Sequence, residues 1–428
     1  MMPDLDELER NLEVTVAARQ RQRRTERLVD ATLLGGVLIA LVLSSIDPGS
    51  LGIAPGDSAN SVIAAAQRFF TYVPLGVGLL FGVRVWRIMC QLPLATLVLF
   101  GAWAVVAAAF VAEPIGELDR ALWFFAFILL VVMTTVRVGW DQLVLCVGVV
   151  GAVFVAAGLV AHHLSWLPDV DRQFFDGGLF GTERIRGLAA QENAFGRDSA
   201  FVALIGILIA TAKDRARRVP LGSVLVVVGV IGLLSSQSRF STISLLFASV
   251  IVIARNIPAA RIPAALLVVA AGAIVGVVLL SGSLGPLSRS DDVSEASSLF
   301  GRTVVWEEAI ETSSDHPFVG IGTEGLTQRY TELDDAGTFD WNPTNAHNVV
   351  LQTAASHGVI GAWLMMISII IGLVHGFGLR AVGAFEVIVM FVIQGFVESI
   401  LLGSPTMAPL LLVAALTAIT AGSAPDRA

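Results

Sequence analysis

Long apolar runs, broken by short polar segments, dominate this chain. A bilayer core about 30 Å thick takes ~20 apolar residues per helical span, and roughly twelve runs approach that length. They lie near 29–46, 62–83, 92–112, 120–136, 142–162, 194–212, 220–236, 241–254, 263–281, 358–375, 384–402 and 405–421. The pattern predicts an all-α, polytopic integral membrane protein of about 12 transmembrane helices, with a large helical extracytoplasmic loop between spans nine and ten.

Composition agrees with the pattern. Of the 428 residues, 55% are hydrophobic and 14% charged, and the mean hydropathy of +0.78 is far above that of a soluble domain. Basic residues then set the orientation, because positive charge is retained on the cytoplasmic side during insertion. With both termini inside, seventeen of the 27 Lys and Arg residues fall on the inner side, six of them before the first span (Arg10, Arg19, Arg21, Arg23, Arg24 and Arg27). The net charge of -8 comes from acidic outer loops and leaves no basic face for a nucleic acid. The basic run before Val29 suits anionic lipid headgroups, and this polar segment has no apolar core of its own, so span one is expected to be an uncleaved anchor. Cys90 and Cys146 sit at inner helix ends, where neither a structural disulfide nor a metal site is expected.

The chain thus divides into a cytoplasmic segment (1–28), a transmembrane domain (29–421) and a cytoplasmic tail (422–428). Two outer segments are long enough to hold a site, 165–197 and 282–357. Within the second, Gly301–Thr312 interleaves apolar and acidic residues in the manner of a surface helix, after which Pro317 and three glycines force a turn. Gly320, Gly322 and Gly325 satisfy a GxGxxG pattern, but no strand precedes it and no βαβ unit surrounds it, so a turn is expected in place of a dinucleotide site.

Polar side chains near these outer segments carry the candidate chemistry. Arg239 stands in the tight turn SSQSRFST between two apolar runs, where a guanidinium is expensive unless paired or facing a wet cavity. Its planar fork of donors suits phosphate oxygens, or the side chain snorkels to the interface. Arg186 and Arg302 stand at other outer helix boundaries, and three such arginines suffice for one phosphate group. His347, in NAHNVVLQ, precedes span ten and offers a proton acceptor at a helix N-terminus that favours anions. His316 and Asn348 are supporting candidates, and His357 is a weaker one. Glu398, placed in the outer half of span eleven, is a carboxylate that invites pairing with a cavity arginine.

In order along the chain, the run RIRGLAAQENAFG, the SQSR turn, GR-x3-W, HPFVGIGTEG, AHNVVLQ and HGVIGAWL resemble the signature of the O-antigen ligase and polymerase family. The resemblance covers roughly residues 180–370. It implies a metal-independent, cofactor-free transferase that moves a glycan from a polyprenyl-(pyro)phosphate carrier to a glycan, lipid or protein acceptor at the outer face of the cytoplasmic membrane. It also implies that Arg186, Arg239 and Arg302 hold the donor phosphates, that His347 is catalytic, and that Asn193 matches a family position. The chain departs from the family in having Asn345 and Ala346 before His347, and His357 where the family often has Glu. Membrane lipids are the remaining expected partners. Chemistry supports inversion at the anomeric carbon, with arginines holding the charge on the leaving oxygen and His347 taking the acceptor proton. The rival reading is a secondary transporter of a polar or anionic solute, which should place its polar groups and broken helices near mid-membrane.

Overall fold

The computed structural model describes residues 5–51, 53, 58–80, 85–164, 184–212, 215–256, 302–339, 343–378, 383–399 and 406–423. The expected ninth span (263–281), most of the first outer segment and residues 282–301 lie outside the described residues. Among the described residues every regular element is a helix: α1 (Leu5–Ser45), α2 (Ser58–Leu80), α3 (Trp86–Met89), α4 (Leu94–Ala108), α5 (Pro114–Val138), α6 (Trp140–His163) and α7 (Glu192–Thr211). These are followed by α8 (Arg215–Ser236), α9 (Arg239–Asn256), α10 (Arg302–Asp315), α11 (Thr323–Asp335), α12 (Val349–Gly378), α13 (Ala384–Gly395) and α14 (Met407–Ser423). A short 3-10 turn, Pro48–Leu51, follows α1.

Eight of these helices are long and apolar enough to cross a membrane: α2, α5 to α9, α12 and the part of α1 from Arg19. Three of the expected twelve spans fall on shorter apolar helices, α4, α13 and α14. At 1.5 Å per residue the 17 residues of α14 reach only about 25 Å, and the 12 of α13 still less. Their shortness has a packing reason in α14, whose residues Met407 to Thr417 are all buried. A helix that is apolar all round and enclosed all round sits at the centre of the bundle, where it touches α4, α5, α6, α7, α12 and α13.

Close packing elsewhere relies on small residues. Between α7 and α8, a Cβ at Gly206 would lie 2.7 Å from the Gly222 carbonyl oxygen, so the two backbones touch directly. The polar helices α10 and α11 form a small second core, in which Val305, Ala309, Leu326 and Tyr330 pack with Ala346, just before α12, and Ala355 within it. That core ties the polar segment to one end of the bundle.

The most constrained connection is the HPFVGIG run. Helix α12 is broken at Gly358 (φ 72°, ψ 175°), and the run lies against the break. Ile321 and Gly322 donate backbone N–H groups to the carbonyls of Ala355 (2.9 Å) and Ser356 (3.0 Å), and Val359 donates to Pro317 (2.8 Å). A Cβ at Gly358 would meet the Phe318 oxygen at 1.9 Å, and one at Gly320 would meet the Ala355 oxygen at 2.4 Å. Two backbones pack here without side chains between them, which accounts for both glycines. Helix α11 then starts on a carboxylate, since Glu117 of α5 accepts from the N–H groups of Thr323 (2.9 Å) and Glu324 (3.2 Å). This is the N-terminal anion preference of a helix, satisfied from another element.

Candidate active site

Three candidate side chains from separate segments, Asn193, Arg302 and His347, converge on Glu398. Helix α13 ends at Gly395, and Phe396 to Glu398 turn away from it, so this carboxylate stands just past a helix end and not within a span of 384–402. Its Oε1 accepts from Asn193 Nδ2 (3.1 Å) and from an Arg302 guanidinium nitrogen (3.3 Å). Its Oε2 lies 3.4 Å from His347 Nδ1. The side chains of Arg302, His347 and Glu398 are 10%, 6% and 11% exposed, so the group is almost wholly withdrawn from water.

Each partner is placed by its own local structure. Asn193 occupies the first turn of α7. Arg302 opens α10, with its guanidinium carbon 5.7 Å from the centre of the Phe240 ring in the first turn of α9. His347 adopts φ 46°, an unusual value for a residue with a side chain, and such strain persists only where the surroundings enforce it. The enforcement is visible. The His347 N–H donates to Asn345 Oδ1 (2.9 Å), the Ala346 N–H to Gln352 Oε1 (2.8 Å), and Asn348 Oδ1 accepts from Val350 (2.9 Å) and Leu351 (3.1 Å). Both asparagines therefore act on the backbone, and the first N–H groups of α12 are capped by Asn348. The free helix N-terminus that the sequence reading expected to face an anion is taken up by this cap.

The SQSR turn has only two residues between helices, Gln237 (φ 54°) and Ser238. It is fixed by the Ser238 N–H donating to Ser236 Oγ (3.2 Å) and by Ser238 Oγ bonding Ser241 Oγ (2.9 Å). Arg239 follows immediately, half-buried, as the first residue of α9. The segment 184–186 runs alongside, with the Ile185 N–H donating to the Ser235 carbonyl (2.9 Å).

The arginine this segment contributes is Arg184. Its guanidinium donates to the Ser236 carbonyl (3.0 Å) and to Asn193 Oδ1 (2.9 Å), which joins it to the Glu398 group through one amide. Burial draws Arg184 below the ordinary arginine range; Glu192 opposes this, and the like charge of Arg239 adds to it. Burial acts on Arg302 in the same sense, against the attraction of Glu398. Arg186 lies 4.0 Å from Asp47 after α1, and one of its guanidinium nitrogens is buried without a hydrogen bond among the described residues. His316 is elsewhere, on a groove with Glu308, Glu311, Asp315 and Arg329. The alternation in RIR was the available signal: Ile185 is buried between two arginines, and a single-sequence reading has no means of ranking them.

The arrangement thus gathers Arg302, an imidazole and an amide around one carboxylate, with Arg184 joined through the amide and Arg239 near enough to Arg184 for their charges to interact, at the end of the bundle where α7, α9, α10 and α12 begin. Guanidiniums held with little water around them attract an anion strongly, because the local dielectric is low. The carboxylate at Nδ1 favours the tautomer that leaves the other imidazole nitrogen, Nε2, as a proton acceptor. No curated protein matches the chain in a search of such sequences. A family model described as O-antigen ligase matches residues 224–366, about a third of the chain, and the matched segment contains Arg239, Arg302 and His347. This multi-pass chain is therefore O-antigen ligase-like.

Proposed function

We propose that the chain is an inverting glycan transferase, ligase or polymerase, that uses a polyprenyl-(pyro)phosphate-linked glycan as donor at the outer face of the cytoplasmic membrane. The observation that carries this reading is the meeting of Asn193, Arg302 and His347, from three separated segments, on Glu398, with Arg184 joined through Asn193. An acceptor hydroxyl attacks the anomeric carbon of the donor sugar. The bond from that carbon to the phosphate oxygen breaks, and the phosphate leaves with the electron pair. Arg184, Arg239 and Arg302 hold the charge that develops on the leaving oxygen, the service a metal renders in many other transferases. Arg186, placed beside Asp47, is at most an outer contact of the same donor. The acceptor proton passes to Nε2 of His347, while Glu398 holds Nδ1 and balances the imidazolium that forms.

The test is transfer in membranes. His347→Ala should abolish glycan transfer with insertion and abundance unchanged, and near-normal product in that variant removes His347 from the chemistry. A secondary transporter would instead move solute across sealed vesicles without any change in the glycan, and that measurement separates the two readings.

A further inference from the structure

Beside the Glu398 group, along the first turns of α7, lies a cavity of about 360 Å3 that the proposed chemistry does not use. Its walls come from the end of α1, from α2, from α7 and from the segment that leads to α14. The most telling lining residues are Asp47, Gln67, Arg197, Asp198, Ser399 and Thr406. Nine of the fourteen lining residues are polar, which argues against a lipid tail as the occupant.

Three features mark a built site. Arg197 and Asp198 are both withdrawn from solvent, 8% and 2% exposed, with Arg197 Nε 3.5 Å from Asp198 Oδ1. Two hydroxyl oxygens on the cavity wall, Ser44 Oγ and Ser399 Oγ, are buried and make no hydrogen bond among the described residues. The cavity also shares its wall with the phosphate site. Ser399 follows Glu398 directly, Ala194 follows Asn193, and Arg197 is near enough to Glu398 for their charges to interact. The Arg197–Asp198 pair, Asp47 with Arg186 beside it, amides and hydroxyls together offer donors and acceptors whose charges are paired, the complement of a polyhydroxyl ligand. The volume falls within the ~300–1,000 Å3 of small-molecule sites, at the lower end.

We propose that this cavity is a glycan subsite, which takes an uncharged sugar unit of the donor or acceptor and holds it one residue away from the phosphate-binding group. The inference rests on the transferase reading, and it adds Arg197, Asp198 and Ser399 as the side chains that grip sugar hydroxyls.

The experiment uses the full chain in lipid nanodiscs and two probes: a polyprenyl pyrophosphate that carries no sugar, and a panel of free neutral and acidic oligosaccharides. Ser44→Leu removes a hydroxyl with no partner and pushes apolar volume into the cavity, so it should fold; Asp198→Asn changes the chemistry of the pair. Both variants should bind oligosaccharide at least tenfold more weakly than wild type, and Ser44→Leu should bind the sugar-free polyprenyl pyrophosphate as wild type does. If Asp198→Asn loses both probes, Ser44→Leu alone decides. Undiminished oligosaccharide binding by Ser44→Leu overturns the proposal, and so does the absence of any oligosaccharide binding by wild type at millimolar concentration. Arg302→Ala tests the phosphate reading separately. Polyprenyl pyrophosphate bound equally with and without Arg302 sinks that reading and leaves the oligosaccharide result standing.

Discussion

Replacing Glu398 with Gln perturbs the centre of the group while keeping its shape. The carboxylate receives two hydrogen bonds, from Asn193 and Arg302, and faces His347 Nδ1. Hydrogen bonds to a charged group contribute about 1.5–3 kcal/mol each, and breaking a buried ion pair by removing one partner costs about 3–5 kcal/mol. Glu398→Ala should therefore lower stability by about 3–5 kcal/mol. Glu398→Gln should cost less, because both donors reach the same oxygen, Oε1, and an amide oxygen in that place still accepts from them. Its effect on chemistry should be larger than its effect on folding. With an amide at Nδ1 the tautomer is no longer held and the imidazolium is no longer balanced, a change expected to slow transfer by about 10²–10⁴-fold. The assay is the product ladder formed in membranes, normalised to protein abundance, beside the melting temperature of the purified protein. A Glu398→Gln protein that transfers glycan within threefold of wild type refutes the assignment of this carboxylate as the partner of His347.

Other expectations follow from the same geometry. Arg239→Lys should transfer at least tenfold more slowly than wild type at equal abundance, since an ammonium does not replace a forked donor; equal activity would mean that charge alone suffices. Arg184→Ala should lower transfer at least tenfold and Arg186→Ala less than threefold, and the reverse order in the same assay would move the phosphate contact back to Arg186. Gly358→Ala should lower the melting temperature sharply, because the Cβ would meet the Phe318 oxygen at 1.9 Å on a backbone of positive φ; an unchanged melting temperature would contradict the close approach. Glu117→Ala should cost about 1 kcal/mol through loss of the α11 cap, measured as a small fall in thermal stability.

The fold class was legible in the sequence because lipid demands long apolar runs, and each run that the described residues cover holds a helix. Span lengths were less legible. The run 384–402 reads as one span, yet the helix stops at Gly395 because the segment past it serves Glu398, and hydropathy does not register a carboxylate paired across helices. The break at Gly358 was hidden for a related reason. Its cause is the backbone of residues 317–322, about forty positions earlier, and the only local sign is a pair of glycines. Among candidate site residues, Arg239, Arg302, His347, Asn193 and Glu398 were readable as polar groups at apolar boundaries, and the structure brings four of them together through direct contacts. Arg184 was not, since its neighbour Arg186, two positions away, has the same chemistry, and one sequence does not say which of the two bonds Asn193. Asn348, a supporting candidate, also caps the start of α12 through its Oδ1, a role that depends on where the helix starts.

The central claim is that the guanidinium group around Glu398 holds a lipid-borne phosphate beside His347. A structure of the protein in nanodiscs with a polyprenyl-pyrophosphate-linked glycan measures this most directly. The account predicts phosphate oxygens within hydrogen-bonding distance of Arg184, Arg239 and Arg302, with the anomeric carbon facing His347. Phosphate bound at another face of the bundle, out of reach of those three side chains, would contradict it.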